Sequence, residues 1–139
     1  MKKVDKKIFN LENLDIWNEG RNFRKKISKL TKQFPEFEKY RLTDQMLRAS
    51  RSVTANIAEG YGRFHYQENI QFCRQARGSL FELFEHLTVA FDEGYINADE
   101  LEDYKKHLFL LIKMLNGYIK YLENRKTKGP GKETNQPIT

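Results

Sequence analysis

One cysteine and three prolines are all that 139 residues contain of either. A lone thiol excludes an internal disulfide and suits a reducing compartment. Scarce proline leaves long stretches free to be helical, because few positions lack an amide hydrogen. No apolar run approaches the roughly 20 residues that cross a bilayer, and the start MKKVDKKIFN lacks the apolar segment of a signal peptide. The expectation is a cytoplasmic protein with no membrane partner. Strict apolar/polar alternation is missing as well, which argues against a sheet. Catalytic signatures are equally scarce. There is no P-loop, Gly60-Tyr61-Gly62 is too short for a dinucleotide fingerprint, and the paired Glu-x-x-His motifs of a bundle metal site do not occur. We expect no enzyme, no cofactor and no metal.

What the chain does have is helical periodicity. Ile16, Phe23, Ile27, Leu30 and Phe34 mark one apolar face, with Trp17 beside it, and Pro35 is expected to end that helix. Gly20 falls in a gap of the stripe, where another backbone could approach closely. Leu42, Met46, Ala49, Val53 and Ile57 mark a second face, and Gly60 and Gly62 read as its left-handed C-terminal cap. Ile70, Cys73, Ala76, Leu80, Leu83 and Leu87 mark a third, interrupted by Gly78-Ser79, a small pair that reads as a close crossing of two helices. The segment FDEGYI closes it at Gly94. Leu101, Tyr104, Leu108, Leu111, Leu115, Tyr118 and Leu122 mark the fourth. Expected caps are Asn13 or Asp15, Thr43 and Asp44, a start near His65 supported by Glu68, and Asn97 with Glu100. Four such helices with short connections predict an all-α, antiparallel up-and-down four-helix bundle over residues 13–123. Residues 1–12 read as a basic arm and residues 124–139 as a disordered basic tail.

The net charge of +6 is unevenly placed. Residues 1–10 and 124–139 each carry +3, and the body between them sums to zero. Within that body, residues 11–63 hold eleven basic and seven acidic groups, whereas residues 64–123 hold six and ten. A polyanion could meet the basic half, and so could the acidic half of a second copy. Arg21, Arg24, Lys25, Lys26, Lys29 and Lys32 cover much of the first helix outside its apolar stripe. They form either a solvated face or a phosphate-contacting stripe.

The polar residues of the second helix form a row. Ser52, Asn56 and Glu59 stand four and three apart beside the Val53 and Ile57 face, with Arg48 continuing the row, and they predict a hydrogen-bonded ladder to a neighbouring helix of the same subunit or the next. Cys73 lies on an apolar stripe and reads as a buried structural thiol. Glu82 with His86, and Asp103 with His107, read as surface pairs. Phe72, Phe81, Phe84 and Phe91 widen the third helix's apolar face beyond one side, which calls for a second partner. Tyr61, Phe64 and Tyr66 cluster at the connector, either covering the core or open to stacking on bases.

The run FPEFEKYRLTDQMLRASRSVTANIAEGYGR, with RQARGSLFEL and EGYI after it, resembles the bacterial four-helix-bundle family encoded in intervening sequences of 23S ribosomal RNA genes. The likeness spans roughly residues 13–122. It implies an up-and-down bundle, a homopentameric ring, and kinship with a branch that assists the reverse transcriptase of diversity-generating retroelements and binds nucleic acid. It also implies Asn56, Glu59, Gly60, Arg63, Gly78, Ser79 and Glu82 as signature positions. Two departures are Thr54, where members often have proline, and His65, where they often have a Ser or Thr cap. The expected function is an oligomeric, non-enzymatic RNA-binding accessory protein acting through Arg21, Arg24, Lys25, Lys29, Arg48, Arg51 and Arg63. The alternative is a scaffold for a protein client such as a reverse transcriptase.

Overall fold

A computed structural model describes residues 10–126. The periodic stripes become four long helices: α1 (Asp15–Thr31), α2 (Leu42–Tyr61), α3 (Tyr66–Asp92) and α4 (Ala98–Lys126), with short 3-10 turns at Leu11–Asn13 and Glu36–Glu38. No strand occurs among the described residues. Each helix packs on the next, and α4 returns to α1 along the most lightly packed seam. Cross-contacts fix the directions. Gly20 faces Thr54 where Leu14 lies by Tyr61, Ser52 meets Ser79 where Gly60 faces Asn69, and Phe84 meets Phe109 where Arg74 meets Glu123, so successive helices are antiparallel and the chain is an up-and-down four-helix bundle.

The stripes supply most of the core, although on α4 Leu101, Tyr104 and Tyr118 are only half-buried and Ile112 and Ile119 are buried with the leucines. Ile27, Met46, Ile57, Cys73, Leu80, Leu83, Leu108, Leu111 and Leu115 are fully buried. A buried Leu or Ile is worth about 1.5–3 kcal/mol over an exposed one, so these seams dominate the folding energy.

Helix ends depart more often from expectation. Neither Asn13 nor Asp15 caps α1, whose first turn follows Leu14 without a side-chain bond. Instead Asn18 reaches back, its amide donating to the Glu12 and Leu14 carbonyls. The helix stops at Thr31, ahead of Pro35, as the Gln33 and Phe34 amides close turns onto Leu30 and Thr31. Thr43 and Asp44 do not cap α2. That role falls to Glu38, whose Oε1 accepts from the Leu42 amide at 3.3 Å and whose Oε2 accepts from the Tyr95 hydroxyl at 2.6 Å. This hydrogen bond, with burial and the Glu38 charge, pushes the Tyr95 phenol up to about 12. His65 precedes α3 without a capping bond. The Asn97–Glu100 box is present with both reciprocal bonds at 2.8 Å.

The glycines sort differently from their sequence reading. Gly62 ends α2 at φ −79°, and Gly60 lies inside the helix; Gly94 alone among the described residues has a positive φ, 81°. Gly60 is small because α3 passes against it. A Cβ there would stand 2.6 Å from Asn69 Oδ1, 3.0 Å from Phe72 Cβ and 3.1 Å from the Asn69 carbonyl. Gly20 is a milder crossing, 3.1 Å from Thr54 Cγ2. Gly78, expected to mark a crossing, has nothing within 4 Å. Of the predicted arm and tail, residues 1–9 and 127–139 lie outside the described residues, while α4 continues through Asn124–Lys126.

Candidate nucleic-acid interface

Residues 20–33 and 45–58 face each other across the α1–α2 seam, and together they contain eight Lys or Arg and no Asp or Glu. Spacing decides where these charges point. Arg21, Lys25 and Lys29 stand four apart on α1, which stacks them along one side of the helix, and all three are exposed. Arg51 is exposed on α2, one turn before Thr54. Four of the seven predicted contact residues therefore share one open flank.

The other three are paired, Arg24 within the fold and Arg48 and Arg63 in ion pairs at the surface. Arg24 is half-buried and turns inward, its Nη1 donating to Thr54 Oγ1 at 2.8 Å across the Gly20 crossing. Thr54 thus ties α1 to α2. Arg48 pairs with Asp44 at 3.0 Å. Arg63 pairs with Glu59 at 2.9 Å and lies over the Phe72 ring. Arg48 and Glu59 are therefore not rungs of a ladder. Lys26, on the same helix as the exposed row, turns toward α4.

The ladder exists in shorter form on the α2–α3 seam. Ser52 and Ser79 share a hydroxyl bond of 2.9 Å, and Asn56 Nδ2 donates to both the carbonyl and the hydroxyl of Ser52 at 2.9 Å. Asn69 extends the polar seam inward, and nothing in the periodic reading singled it out, because it stands among the buried positions of α3. It is fully buried, donates to Tyr118 at 3.2 Å, and its Oδ1 accepts from the Cys73 thiol at 3.4 Å. Among the signature positions, Gly60 and Ser79 thus join α2 to α3, while Asn56 bonds Ser52 within α2. Glu82 is exposed and faces His86 at 3.3 Å.

The remaining titratable groups also have structural partners. Cys73 is buried, and burial pushes its thiol up to about 12, so at neutral pH it is protonated and a poor nucleophile. His107 does not pair with Asp103. It bridges α4 to α1, with Nε2 3.1 Å from Glu19 and Nδ1 3.0 Å from Lys26. Lys26 donates there, so Nδ1 carries a lone pair and Nε2 donates to the carboxylate. Phe23 packs edge-on against the ring. Among the described residues, no three His, Cys, Asp or Glu side chains converge as a metal site. No helix of the described chain is long and apolar enough to cross a membrane.

The opposite flank has another character. Phe81, Phe109 and Leu110 are 51%, 44% and 48% exposed on α3 and α4, and the Phe84 ring packs at a tilt against Phe109 with centroids 5.6 Å apart. Glu82 and Glu85 on α3 are exposed beside these residues, and on α4 the exposed Lys106 and Lys113 fall between Phe109 and Leu110 in the helical period.

A family model described as 23S rRNA-intervening sequence protein matches residues 12–117. The chain belongs to the 23S rRNA-intervening sequence protein family. That match covers all of α1, α2 and α3 and most of α4. A crystal structure of a protein of unknown function from the S23 ribosomal protein family of Bacteroides thetaiotaomicron is similar in fold. It has a TM-score of 0.70 at 23% identity, covering 76% of this chain and 98% of that one. No curated protein matches the chain.

Proposed function

We propose that this member of the 23S rRNA-intervening sequence protein family is a non-enzymatic, cytoplasmic RNA-binding accessory protein that contacts phosphates through the α1–α2 flank. The observation that carries the reading is the acid-free pair of facing segments, with Arg21, Lys25, Lys29 and Arg51 exposed along it. A row of cations without interspersed carboxylates attracts a phosphate backbone and does not cancel its own field. Binding rather than catalysis fits the engaged state of Cys73, His86 and His107. Such contact is largely independent of base sequence.

The reading includes assembly into a homo-oligomer, with a pentameric ring the form implied by resemblance. The Phe81, Phe84, Phe109 and Leu110 strip supports it. Half-exposed apolar side chains beside charges of both signs offer surface that a second copy could bury. A ring would repeat the basic flank and multiply a modest charge. The same strip favours the second reading, a scaffold that holds a protein client such as a reverse transcriptase.

A gel shift with RNA separates the two. Wild-type protein should retain RNA at low salt and lose about 50-fold in affinity between roughly 50 and 200 mM salt, for four single-strand phosphate contacts. Arg21→Glu, Lys25→Glu and Lys29→Glu together should abolish retention with the helical content and particle mass unchanged. No shift at low salt would remove the RNA reading and leave the scaffold.

A further inference from the structure

An open cavity of about 340 Å³ lies at the end of the bundle where α1 begins and α2 ends, lined by Asn10, Asn13, Leu14 and Tyr61. We propose that this cavity receives one unstacked base of single-stranded RNA, with the strand then running along the basic side of α1. The proposal rests on the reading above and names the form of nucleic acid it requires.

Three observations carry it. The first is the chemistry of the lining. Asn10 and Asn13 flank the 3-10 turn, and neither amide is spent on a cap, although an asparagine before a helix commonly is. Each offers an acceptor and two donors, the set needed to meet a base edge. Tyr61 supplies an aromatic wall, and unstacked bases are held by stacking on such rings while their edges are hydrogen-bonded. The second is size, since the cavity falls at the small end of the roughly 300–1,000 Å³ range of ligand sites, suited to one base rather than a folded element. The third is distance. Arg21 and Lys25 are exposed on α1 seven and eleven residues beyond Leu14, about 10 and 16 Å along the axis at 1.5 Å per residue. A base seated at Leu14 would therefore have its following phosphates within reach of Arg21 and Lys25. A duplex, whose bases are paired and stacked, cannot use the cavity.

Fluorescence anisotropy with the full chain tests this, using a labelled oligouridylate, the same length with abasic sites, and a duplex RNA. The single strand should bind on the order of 10-fold more tightly than its abasic counterpart, the loss expected for one stacked base. Asn10→Ala with Asn13→Ala, and separately Tyr61→Leu, should weaken single-strand binding by a similar factor and leave duplex binding unchanged. Tyr61→Phe, which keeps the ring, should bind as wild type. Circular dichroism checks that each variant is folded. If the cavity variants bind the single strand like wild type while reversal of Arg21, Lys25 and Lys29 abolishes binding, the cavity proposal is overturned and the phosphate reading stands. Equal loss of duplex and single strand in the cavity variants would also overturn it. If neither RNA binds at low salt, the phosphate reading fails and this proposal with it.

Discussion

The α1–α2 flank and the α3–α4 flank are built from the same kind of amphipathic helix, yet they present opposite chemistry. On the first, the residues outside the core are basic and the seam is closed by small or polar contacts, Gly20 against Thr54 and Arg24 onto the Thr54 hydroxyl. On the second, aromatic side chains spill out of the core, and charges of both signs stand beside them. The lesson is that core formation uses only one stripe of each helix. What the other stripes carry is free to differ, and here it divides into a face for polyanions and a face for apolar surface. The α2–α3 seam joins the two halves.

The comparison breaks most completely at that seam. Gly60→Ala puts a methyl group against Asn69 and the Cβ of Phe72, neither of which can retreat without moving α3. We expect a loss of about 3 kcal/mol, the upper part of the usual overpacking range, measured by urea unfolding. Both flanks should fail together. A loss below about 0.5 kcal/mol would mean the crossing is looser than these distances.

The two flanks separate under a second change. Phe81→Ser with Phe109→Ser removes two half-exposed rings from the strip and adds no charge to the α1–α2 flank. At about 1 kcal/mol each, half the value of full burial, the pair should weaken self-association roughly 30-fold. Light scattering across a concentration series reads this, and RNA affinity per subunit at high protein concentration should stay within about 2-fold. Unchanged mass would remove the strip from any contact between copies.

A smaller effect comes from Cys73, beneath both faces. Its thiol ionises at 9.0 in an unfolded chain and at about 12 when folded. The folded state therefore holds its proton longer, and the stability this gives is complete below pH 9 and drains away as pH rises toward 12. By pH 10 the loss is about 1.4 kcal/mol. Cys73→Ala should lack that part of the alkaline slope. A variant curve parallel to wild type between pH 8 and 10 would refute the assignment.

The stripes were legible in the sequence because burial repeats every three or four residues, and Leu108, Leu111, Leu115 and Leu122 cannot be arranged on a helix in any other way. The Asn97–Glu100 box was legible for a similar reason, since both partners are local. Contacts made by long side chains across helices were not. His107 reaches Glu19 over 88 positions of sequence, and the nearer Asp103 is a better guess on spacing alone. Glu38 caps α2 from an adjacent 3-10 turn whose course the sequence does not dictate. In the basic set, spacing identified the row Arg21, Lys25 and Lys29, but whether Arg24 faces solvent depended on Thr54.

Glycine shows the same limit most sharply, and it supplies the smallest and most discriminating test. A sequence records that a side chain is missing and says nothing of what stands opposite. Gly60 reads as a cap and Gly78 as a crossing, yet it is Gly60 that has a helix against it. Gly78 is exposed in mid-helix with open space beyond it. Alanine there should raise stability by about 0.5–1 kcal/mol, because it restricts the unfolded chain and meets nothing in the folded one. Thermal unfolding at low protein concentration measures that gain, and a loss would show that α3 has a neighbour at this point within its own bundle. Light scattering on the same variant adds the second half of the comparison. If the monomer gains stability but the assembled mass falls, a second copy packs against Gly78, and the α3–α4 face extends further round α3 than its aromatic strip.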